Sequence, residues 1–173
     1  MDRVGQPGGS SDPQGRRRWR DPGSKELSQP LNDAAAELSR DFSDASVRER
    51  LEFLLEFSDN LPSLPNRYIE HPDLLERVEE CQSPVYLFVE LDGQIVRTFF
   101  SAPEEAPTTR GFAGILSSLL DGRSVEEVLT FSDDYPDTLG LAEAVSPLRL
   151  RGMRAMLFRL KRQVLEKQSG LGT

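Results

Sequence analysis

Cys81 is the only cysteine in this chain of 173 residues, and His71 is the only histidine. A single cysteine cannot form an internal disulfide, and one cysteine with one histidine does not supply a zinc-type set of ligands. A Cys–His nucleophile pair would need the two side chains within hydrogen-bond reach. Their separation along the chain does not predict such contact, and the position of His71 beside Pro72 favours an exposed loop. Any chemistry of this chain therefore centres on Cys81.

The residues around Cys81 leave two interpretations of this thiol open. A lone cysteine at the start of a predicted strand is typically a small buried apolar residue. The neighbouring carboxylates of Glu79 and Glu80 oppose ionisation and so raise the pKa of the thiol. Such a thiol stays unreactive until a cation or a partner protein arrives, which fits a carrier better than a stand-alone enzyme.

The composition argues against several classes of function. The net charge of −8 disfavours binding to nucleic acid through neutralised phosphates. No apolar run approaches the roughly 20 residues that a transmembrane helix needs, and the first residues show no secretory signal. Gly111 and Gly114 lie in a helical pattern rather than in a phosphate-binding loop, and no two carboxylates stand out as general acid and base. We therefore expect a cytoplasmic protein that binds no cofactor, metal, nucleic acid or membrane.

The residue types divide the chain into three parts. Residues 1–40 are dominated by Gly, Pro, Ser, Asp and Arg as far as Pro30 and include the basic run RRRWR, so we expect a disordered or poorly ordered leader. Residues 41–166 have the apolar periodicity of one domain. Residues 167–173 are expected to form a flexible tail.

The elements that must position the thiol are predicted as helices around a small sheet. Ser46 and Ser124 each precede a glutamate by three residues, as in a capping box, and Ser146 before a proline is typical of a helix start. Apolar spacing predicts a further helix over residues 112–120, and a short helix is expected near residues 33–42.

Two strands are predicted directly after Cys81. Residues 85–91 alternate between two kinds of side chain, as a strand with two different faces does. Asp92-Gly93 then predicts a two-residue hairpin turn with positive φ at both positions, followed by a returning antiparallel strand over residues 95–100. Two strands alone are marginally stable, so we expect a third, either near residues 77–82 or at a place that the sequence does not identify. Helices and an antiparallel sheet without βαβ alternation predict an α+β fold.

Four blocks of sequence resemble, in this order along the chain, those of the SufE family of sulfur-acceptor proteins. Each block is weak alone, but their order around one cysteine is specific, and the resemblance covers about residues 47–164. The blocks are Leu61-Pro62-Ser63-Leu64-Pro65, Cys81-Gln82-Ser83-Pro84-Val85-Tyr86-Leu87, Arg110-Gly111-Phe112 with Asp121-Gly122-Arg123-Ser124-Val125-Glu126-Glu127-Val128, and Ser146-Pro147-Leu148-Arg149-Leu150-Arg151-Gly152-Met153-Arg154-Ala155-Met156.

The resemblance implies a small antiparallel sheet packed by helices, as in scaffold proteins of the IscU type, and it implies a function. The cysteine of the family accepts sulfane sulfur from the persulfide of a PLP-dependent cysteine desulfurase (SufS-like) and passes it to an iron–sulfur scaffold of the SufB type. Cys81 corresponds to that acceptor. Arg149 corresponds to the arginine of the last block, so it or the desulfurase pocket is expected to supply positive charge to the thiolate or persulfide. The candidates for docking the partner are Gln82, Ser83, Arg110 and Gly152.

The chain departs from the family pattern at two places. Glu80 stands where the family usually has glycine before the cysteine, and residues 101–107 replace a shorter acidic run by a segment with two prolines. We expect the Cys81 loop to lie tucked in when the protein is free and to swing out on docking, with a mobile 76–80 segment. The alternative functions are a desulfurase-binding regulator in which Cys81 is structural, and a cysteine hydrolase that uses Cys81 with His71.

Overall fold

The computed structural model of this chain describes residues 29–170. The predicted leader up to residue 28, including RRRWR, and residues 171–173 of the predicted tail lie outside the described residues. The α-helices of the described part are α1 (Leu31–Asp44), α2 (Val47–Asp59), α3 (Asn66–Ile69), α4 (Pro107–Leu120), α5 (Val125–Thr130) and α6 (Pro147–Gln168). Short 3₁₀ helices span Pro72–Leu74, Tyr135–Leu139 and Leu141–Glu143, and the strands are β1 (Glu76–Arg77), β2 (Tyr86–Asp92) and β3 (Ile95–Ser101).

The strands form one antiparallel sheet in the order β1-β2-β3, and helices pack against it. This arrangement confirms the predicted α+β class. Between residues 29 and 170, no helix is both long enough and apolar enough to cross a bilayer.

The helix starts follow from local side-chain chemistry. The hydroxyl of Ser46 accepts a hydrogen bond from the backbone N–H of Glu49 at 3.3 Å, and the Glu49 carboxylate accepts one from the backbone N–H of Ser46 at 2.7 Å. Ser124 and Glu127 form the same reciprocal pair at the start of α5, and the Ser146 hydroxyl caps α6. A cap satisfies backbone donors that have no partner inside the helix, so local sequence predicted these three starts, and the structure confirms them.

The predicted hairpin is confirmed, but its turn lies one residue later than expected. Asp92 still pairs with Ile95, so the two turn residues are Gly93 and Gln94. Among the described residues only glycines have positive φ, and Gly93 has a φ of +60°. The prediction of positive φ at both turn positions is therefore wrong, since only the first position takes the conformation that glycine adopts without steric cost.

Two glycines allow α4 to pack closely on α2. A methyl group at residue 111 would lie 2.2 Å from the backbone oxygen of Leu54, and one at residue 114 would lie 2.3 Å from that of Phe57. Both distances are far below van der Waals contact, so this close approach requires glycine at both places. The core lies between these helices, the inner face of the sheet and α6. Its largest fully buried side chains include Phe42, Leu54, Leu87, Phe112, Ile115, Leu116, Leu120, Met153, Met156 and Leu157.

Helix α1 closes one side of this core. Its apolar residues recur every three or four positions in an otherwise polar stretch, which places them on one face of a helix. The domain boundary expected at residue 41 therefore falls inside a helix that packs on the core, and the short helix expected near residues 33–42 belongs to this element. The buried residues of α1 are Leu31, Ala35, Leu38 and Phe42.

Helix α6 completes the sheet beside the very short strand β1. Beyond β1, the side chain of Gln163 continues the ladder along β2: its Oε1 accepts from the backbone N–H of Val89 at 2.8 Å, and its Nε2 donates to the backbone oxygen of Leu87 at 3.5 Å. The same Nε2 donates to the carboxylate of Glu76 at 2.8 Å. The third strand predicted near residues 77–82 is thus only two residues long and begins one residue earlier, because a side chain of α6 takes over its pairing.

We expect the substitution Gln163→Leu to lower the free energy of unfolding by about 1–3 kcal/mol, because the buried N–H of Val89 would lose this acceptor. Gln163 is 5% exposed. Urea unfolding followed by circular dichroism measures the change. Gln168→Leu is the matched control, an exposed glutamine on the same helix, and it should change the free energy by less than about 0.5 kcal/mol. Equal stability of the two variants would show that the edge of β2 needs no side chain from α6.

Candidate functional site

Cys81 lies in a loop, residues 79–84, whose two ends are fixed by the core. The loop leaves the core at Val78 and returns at Val85, and both valines are fully buried. The backbone N–H of Val78 donates to the oxygen of Val85 at 2.9 Å, which closes the base of the loop, and the N–H of Cys81 donates to the oxygen of Val78 at 3.1 Å. Cys81 is the buried apolar side chain between these ends, and no larger one lies there, so the loop can change conformation without removing a large residue from the core.

The side chain of Cys81 rests against helix α6 at Gly152. Cys81 is 8% exposed, and a methyl group at residue 152 would lie 2.8 Å from its sulfur. A carbon and a sulfur cannot approach so closely, so any larger residue here would displace the thiol. Gly152 therefore contacts the thiol directly, and its lack of a side chain makes room for the sulfur.

A cavity of about 210 Å³ adjoins Cys81. Its walls are formed by Gln82 and Ser83 of the loop, by Arg149 near the start of α6, and by residues 105–109 at the start of α4. The volume is several times the roughly 30 Å³ that one water molecule occupies in the liquid. The cavity therefore has room for a second sulfur atom on Cys81.

The surroundings of Cys81 keep its thiol protonated. Burial, together with the negative charge of Glu80, raises the pKa of Cys81 to about 11, although the guanidinium of Arg159 acts in the opposite direction. The expected opposition by a neighbouring glutamate is confirmed for Glu80. In this structure the Cys81 loop is packed against α6, and we call this arrangement closed. The cation that favours the thiolate in the closed protein is the guanidinium of Arg159, while the exposed Arg149 lines the cavity.

Glu80 is held by a guanidinium of helix α6. Both carboxylate oxygens of Glu80 accept hydrogen bonds from Arg159, at 2.9 Å and 3.1 Å from Nη2 and at 3.2 Å from Nε. Burial raises the pKa of the Glu80 carboxyl, but hydrogen bonds from its own backbone and from Arg159 outweigh this effect and lower the pKa.

Glu76 is tied to the same helix face. Its carboxylate accepts from Nη1 of Arg159 at 2.7 Å, from Nε2 of Gln163 at 2.8 Å, and from Arg162. Burial raises the pKa of the Glu76 carboxyl, but these hydrogen bonds outweigh it and lower the pKa. Ion pairs and a short strand hold the 76–80 segment on α6 in this structure, so the mobility expected of this segment requires these contacts to open.

The structure brings most of the candidate residues together. Cys81, Gln82, Ser83, Arg149 and Gly152 all line the one cavity. Each comes either from the loop or from the first turns of α6, so the packing of the loop on this helix assembles the group.

Arg110 and His71 lie outside the cavity lining. Arg110 donates from Nε to the backbone oxygen of Ser58 at 3.0 Å and from Nη1 to that of Ala102 at 2.6 Å. It thereby ties the segment that leads into the 105–109 wall to the end of α2. His71 is exposed and precedes a short 3₁₀ helix, so no Cys81–His71 pair exists. Among residues 29–170, no three His, Cys, Asp or Glu side chains are placed to hold a metal ion.

Sequence reasoning missed Arg159 and Gln163. Both are polar residues on the apolar side of α6, and Arg159 follows Gly152 by two helical turns. The available signal was this spacing: once the cysteine is placed against Gly152, a residue seven positions later faces the same side of the helix. The partner of Glu80 could have been sought there.

Comparisons with known proteins place the chain in a family. The family model SufE, described as an Fe-S metabolism associated domain, matches residues 36–164. Uncharacterized SufE-like proteins from two strains of Mycobacterium tuberculosis are each 48% identical over 132 residues, which cover 76% of this chain and 91% of those proteins. The SufE-like protein 1, chloroplastic/mitochondrial, of Arabidopsis thaliana is 30% identical over 125 residues, which cover 69% of this chain and 32% of that protein.

A solved structure shares the fold. The solution structure of a hypothetical protein from Thermus thermophilus has a TM-score of 0.66 and 36% sequence identity, covering 81% of this chain and 96% of that chain. Together with the family match, this confirms the resemblance carried by the four sequence blocks and links the chain to iron–sulfur metabolism.

We expect alkylation of Cys81 in the folded protein to be slow at neutral pH and to accelerate about tenfold per pH unit toward pH 11. The thiolate is the reacting form, so a raised pKa moves the rise to higher pH. In urea the same thiol should titrate near its ordinary pKa of about 8.5. Iodoacetamide labelling followed by intact mass gives both profiles, and a plateau near pH 8.5 in the folded protein would contradict the burial of the thiol.

We expect Gly152→Ala to fold with unchanged or higher stability while moving the thiol. The new methyl group meets a sulfur that can rotate about χ1, and alanine is favoured over glycine within a helix by about 0.5–1 kcal/mol. Alkylation at a fixed pH should become several-fold faster. Gly114→Ala is the matched contrast, because its methyl group meets the Phe57 backbone, and it should destabilise by at least about 1 kcal/mol. A loss of stability in Gly152→Ala as large as in Gly114→Ala, measured by thermal unfolding, would disprove this account.

Proposed function

This chain belongs to the SufE family, and on that premise we propose that it is a sulfur carrier for iron–sulfur cluster assembly. The protein accepts persulfide sulfur on Cys81 from a PLP-dependent cysteine desulfurase of the SufS type, stimulates that enzyme, and delivers the sulfur to a scaffold of the SufB type. The observation that supports this most directly is the position of Cys81. The one cysteine of the chain faces a cavity of about 210 Å³ from a loop whose ends are fixed in the core.

The transfer is an exchange at sulfur. The thiolate of Cys81 attacks the outer sulfur of the desulfurase persulfide, a new S–S bond forms on Cys81, and the old S–S bond breaks. The desulfurase cysteine leaves as a thiolate and takes up the proton that Cys81 has lost. The sulfane sulfur keeps its oxidation state, so the step needs no external oxidant or reductant. Delivery to the scaffold repeats the exchange with Cys81 as the donor.

The closed thiol is poorly prepared for this attack. With a pKa of about 11, only about one thiol in ten thousand is ionised at pH 7. Docking must therefore bring Cys81 out of its buried position or bring positive charge to it. Arg149 lies in the cavity wall, where its guanidinium can pair with the persulfide anion.

The cavity suits the form of the protein that carries a persulfide on Cys81. A persulfide exposed to solvent is readily oxidised, and an outer sulfur that returns into a partly enclosed cavity is protected. Cys81 must also stay reduced between transfers, and it is a free cysteine in the structure. A reducing compartment such as the cytoplasm satisfies this need.

The rim of the cavity offers a docking surface. Leu148 is 41% exposed beside the exposed side chains of Gln82 and Arg149. Arginine and apolar side chains that are exposed together are typical of protein interfaces. Arg110 contributes indirectly, since it fixes the segment that leads into the 105–109 wall. We assign the docking of the desulfurase to this rim.

Incubation with a desulfurase and cysteine should add one sulfur atom to Cys81. Intact mass before and after treatment with reductant measures the gain, and Cys81→Ser should show none. In the same assay Arg149→Met should slow loading by about tenfold, because a charged hydrogen bond to the persulfide is lost. Arg48→Met is the control and should load at the normal rate. Arg48 lies on α2, far from Arg149 along the chain, and its side chain is 89% exposed.

The outcome also separates the alternative of a regulator. Stimulation of the desulfurase that survives in Cys81→Ser, with no sulfur on the wild-type protein, would show that Cys81 is structural and that the chain acts by binding alone. Loading of wild-type Cys81 together with loss of stimulation in Cys81→Ser supports the carrier.

A further inference from the structure

The loop that carries Cys81 is held shut at two neighbouring points on helix α6. Cys81 rests against Gly152, and Glu80 is bound by Arg159. Gly152 and Arg159 are seven residues apart, so they lie on the same side of the helix about 10 Å apart along its axis. Glu80 and Cys81, which are neighbours in the loop, therefore both contact the same face of α6.

The contact between Glu80 and Arg159 is the stronger of the two. The guanidinium reaches both carboxylate oxygens of Glu80, and its Nη1 also binds Glu76 at 2.7 Å. The side chain of Arg159 is 20% exposed and that of Glu80 is 34% exposed. A partly buried, bidentate ion pair of this kind is stronger than an ion pair on the surface.

The contact of the thiol itself offers little resistance to opening. Cys81 is a small side chain that adjoins a cavity, and the loop has no large apolar residue to withdraw from the core. The anchors at Val78 and Val85 lie outside the part that moves. The pair Glu80–Arg159 is thus the main contact that an outward movement of residues 79–84 must break.

We propose that Arg159 is a positioning residue that latches the Cys81 loop through Glu80, and that opening of this ion pair releases the thiol. Only the biological purpose of the latch rests on the proposed function, because the accessibility of Cys81 in the closed loop can be measured without a desulfurase. It assigns to Glu80 and Arg159 the control of when Cys81 can be reached.

Alkylation by iodoacetamide tests the latch, because this reagent is neutral and its approach does not depend on the charge of the protein. The substitutions are Glu80→Gln, which leaves Arg159 paired with Glu76, and Arg159→Met. We expect both to accelerate alkylation by about three- to tenfold at constant pH, as loss of a partly buried ion pair would.

The two variants together separate a latch from an electrostatic effect on the thiol. Glu80 disfavours the thiolate and Arg159 favours it. Charge alone therefore predicts faster alkylation for Glu80→Gln and slower alkylation for Arg159→Met. Acceleration in both variants supports the latch, and an unchanged or slower rate in folded Arg159→Met overturns it. Arg159→Lys keeps the charge but not the bidentate geometry, so its alkylation rate should lie between those of the wild-type protein and Arg159→Met.

One matched control comes from the Cys81 loop and the other from helix α6. Glu79→Gln removes a carboxylate next to Cys81 that pairs with Arg77 rather than with α6, and Arg154→Met removes an arginine of α6 that pairs with Asp137. Both should alkylate within about twofold of the wild-type rate. An equal acceleration in Glu79→Gln would overturn the latch, because any nearby loss of negative charge would then suffice.

Hydrogen exchange gives a readout that does not depend on thiol ionisation. The N–H of Cys81 donates to the oxygen of Val78, and we expect its exchange to accelerate in Glu80→Gln by the same about three- to tenfold. If Arg159→Met fails to fold, this measurement decides alone: unchanged exchange in Glu80→Gln overturns the latch.

Sulfur loading is measured in a separate assay from alkylation and hydrogen exchange. The latch can therefore fail while the proposed carrier function stands, or hold in a protein that carries no sulfur.

Discussion

The polar contact between strand β1 and helix α6 is the interaction on which the site depends. A strand of two residues makes too few backbone pairs to hold its own position. Glu76 obtains that position from the helix, through Arg159, Arg162 and Gln163. These groups are buried or partly buried, so each would be costly without a partner, and the observed arrangement gives Glu76, Arg159, Arg162 and Gln163 their partners. That arrangement fixes where the chain enters the Cys81 loop and brings the thiol to the place where the helix has no side chain.

Burial has two opposite consequences for Cys81. It protects sulfur from solvent, and it raises the pKa of the thiol to about 11, so the attacking thiolate is scarce. A rigid site could not combine this protection with the reactivity that the proposed sulfur transfer requires. The structure separates them in space, because the core holds Val78 and Val85 while the residues between these valines are small or polar. Reactivity can then change by movement of one loop, while Val78 and Val85 keep their places in the core.

The parts of the structure that depend on local sequence were predictable. Capping boxes at Ser46 and Ser124 use hydrogen bonds between residues three apart, and the hairpin depends on a glycine beside two alternating strands. The turn was misplaced by one residue because Asp92 and Gly93 are both turn formers, and the pairing of Asp92 with Ile95 decides between registers. The role of Arg159 was not predictable in this way, since its partners Glu76 and Glu80 are about 80 positions away along the chain.

Glu80 stands where the resemblance to the family predicts a glycine, and the structure shows what a glutamate does at this position. Among the described residues only glycines have positive φ, so residue 80 has a backbone conformation that any amino acid can adopt. Glycine is therefore not required by the closed loop and would contribute mainly freedom of movement. Glutamate reduces that freedom and adds a carboxylate that α6 can bind. In this chain the ease of opening depends on a breakable ion pair more than on a flexible backbone, which makes the position of Cys81 responsive to any charged group that competes for Arg159.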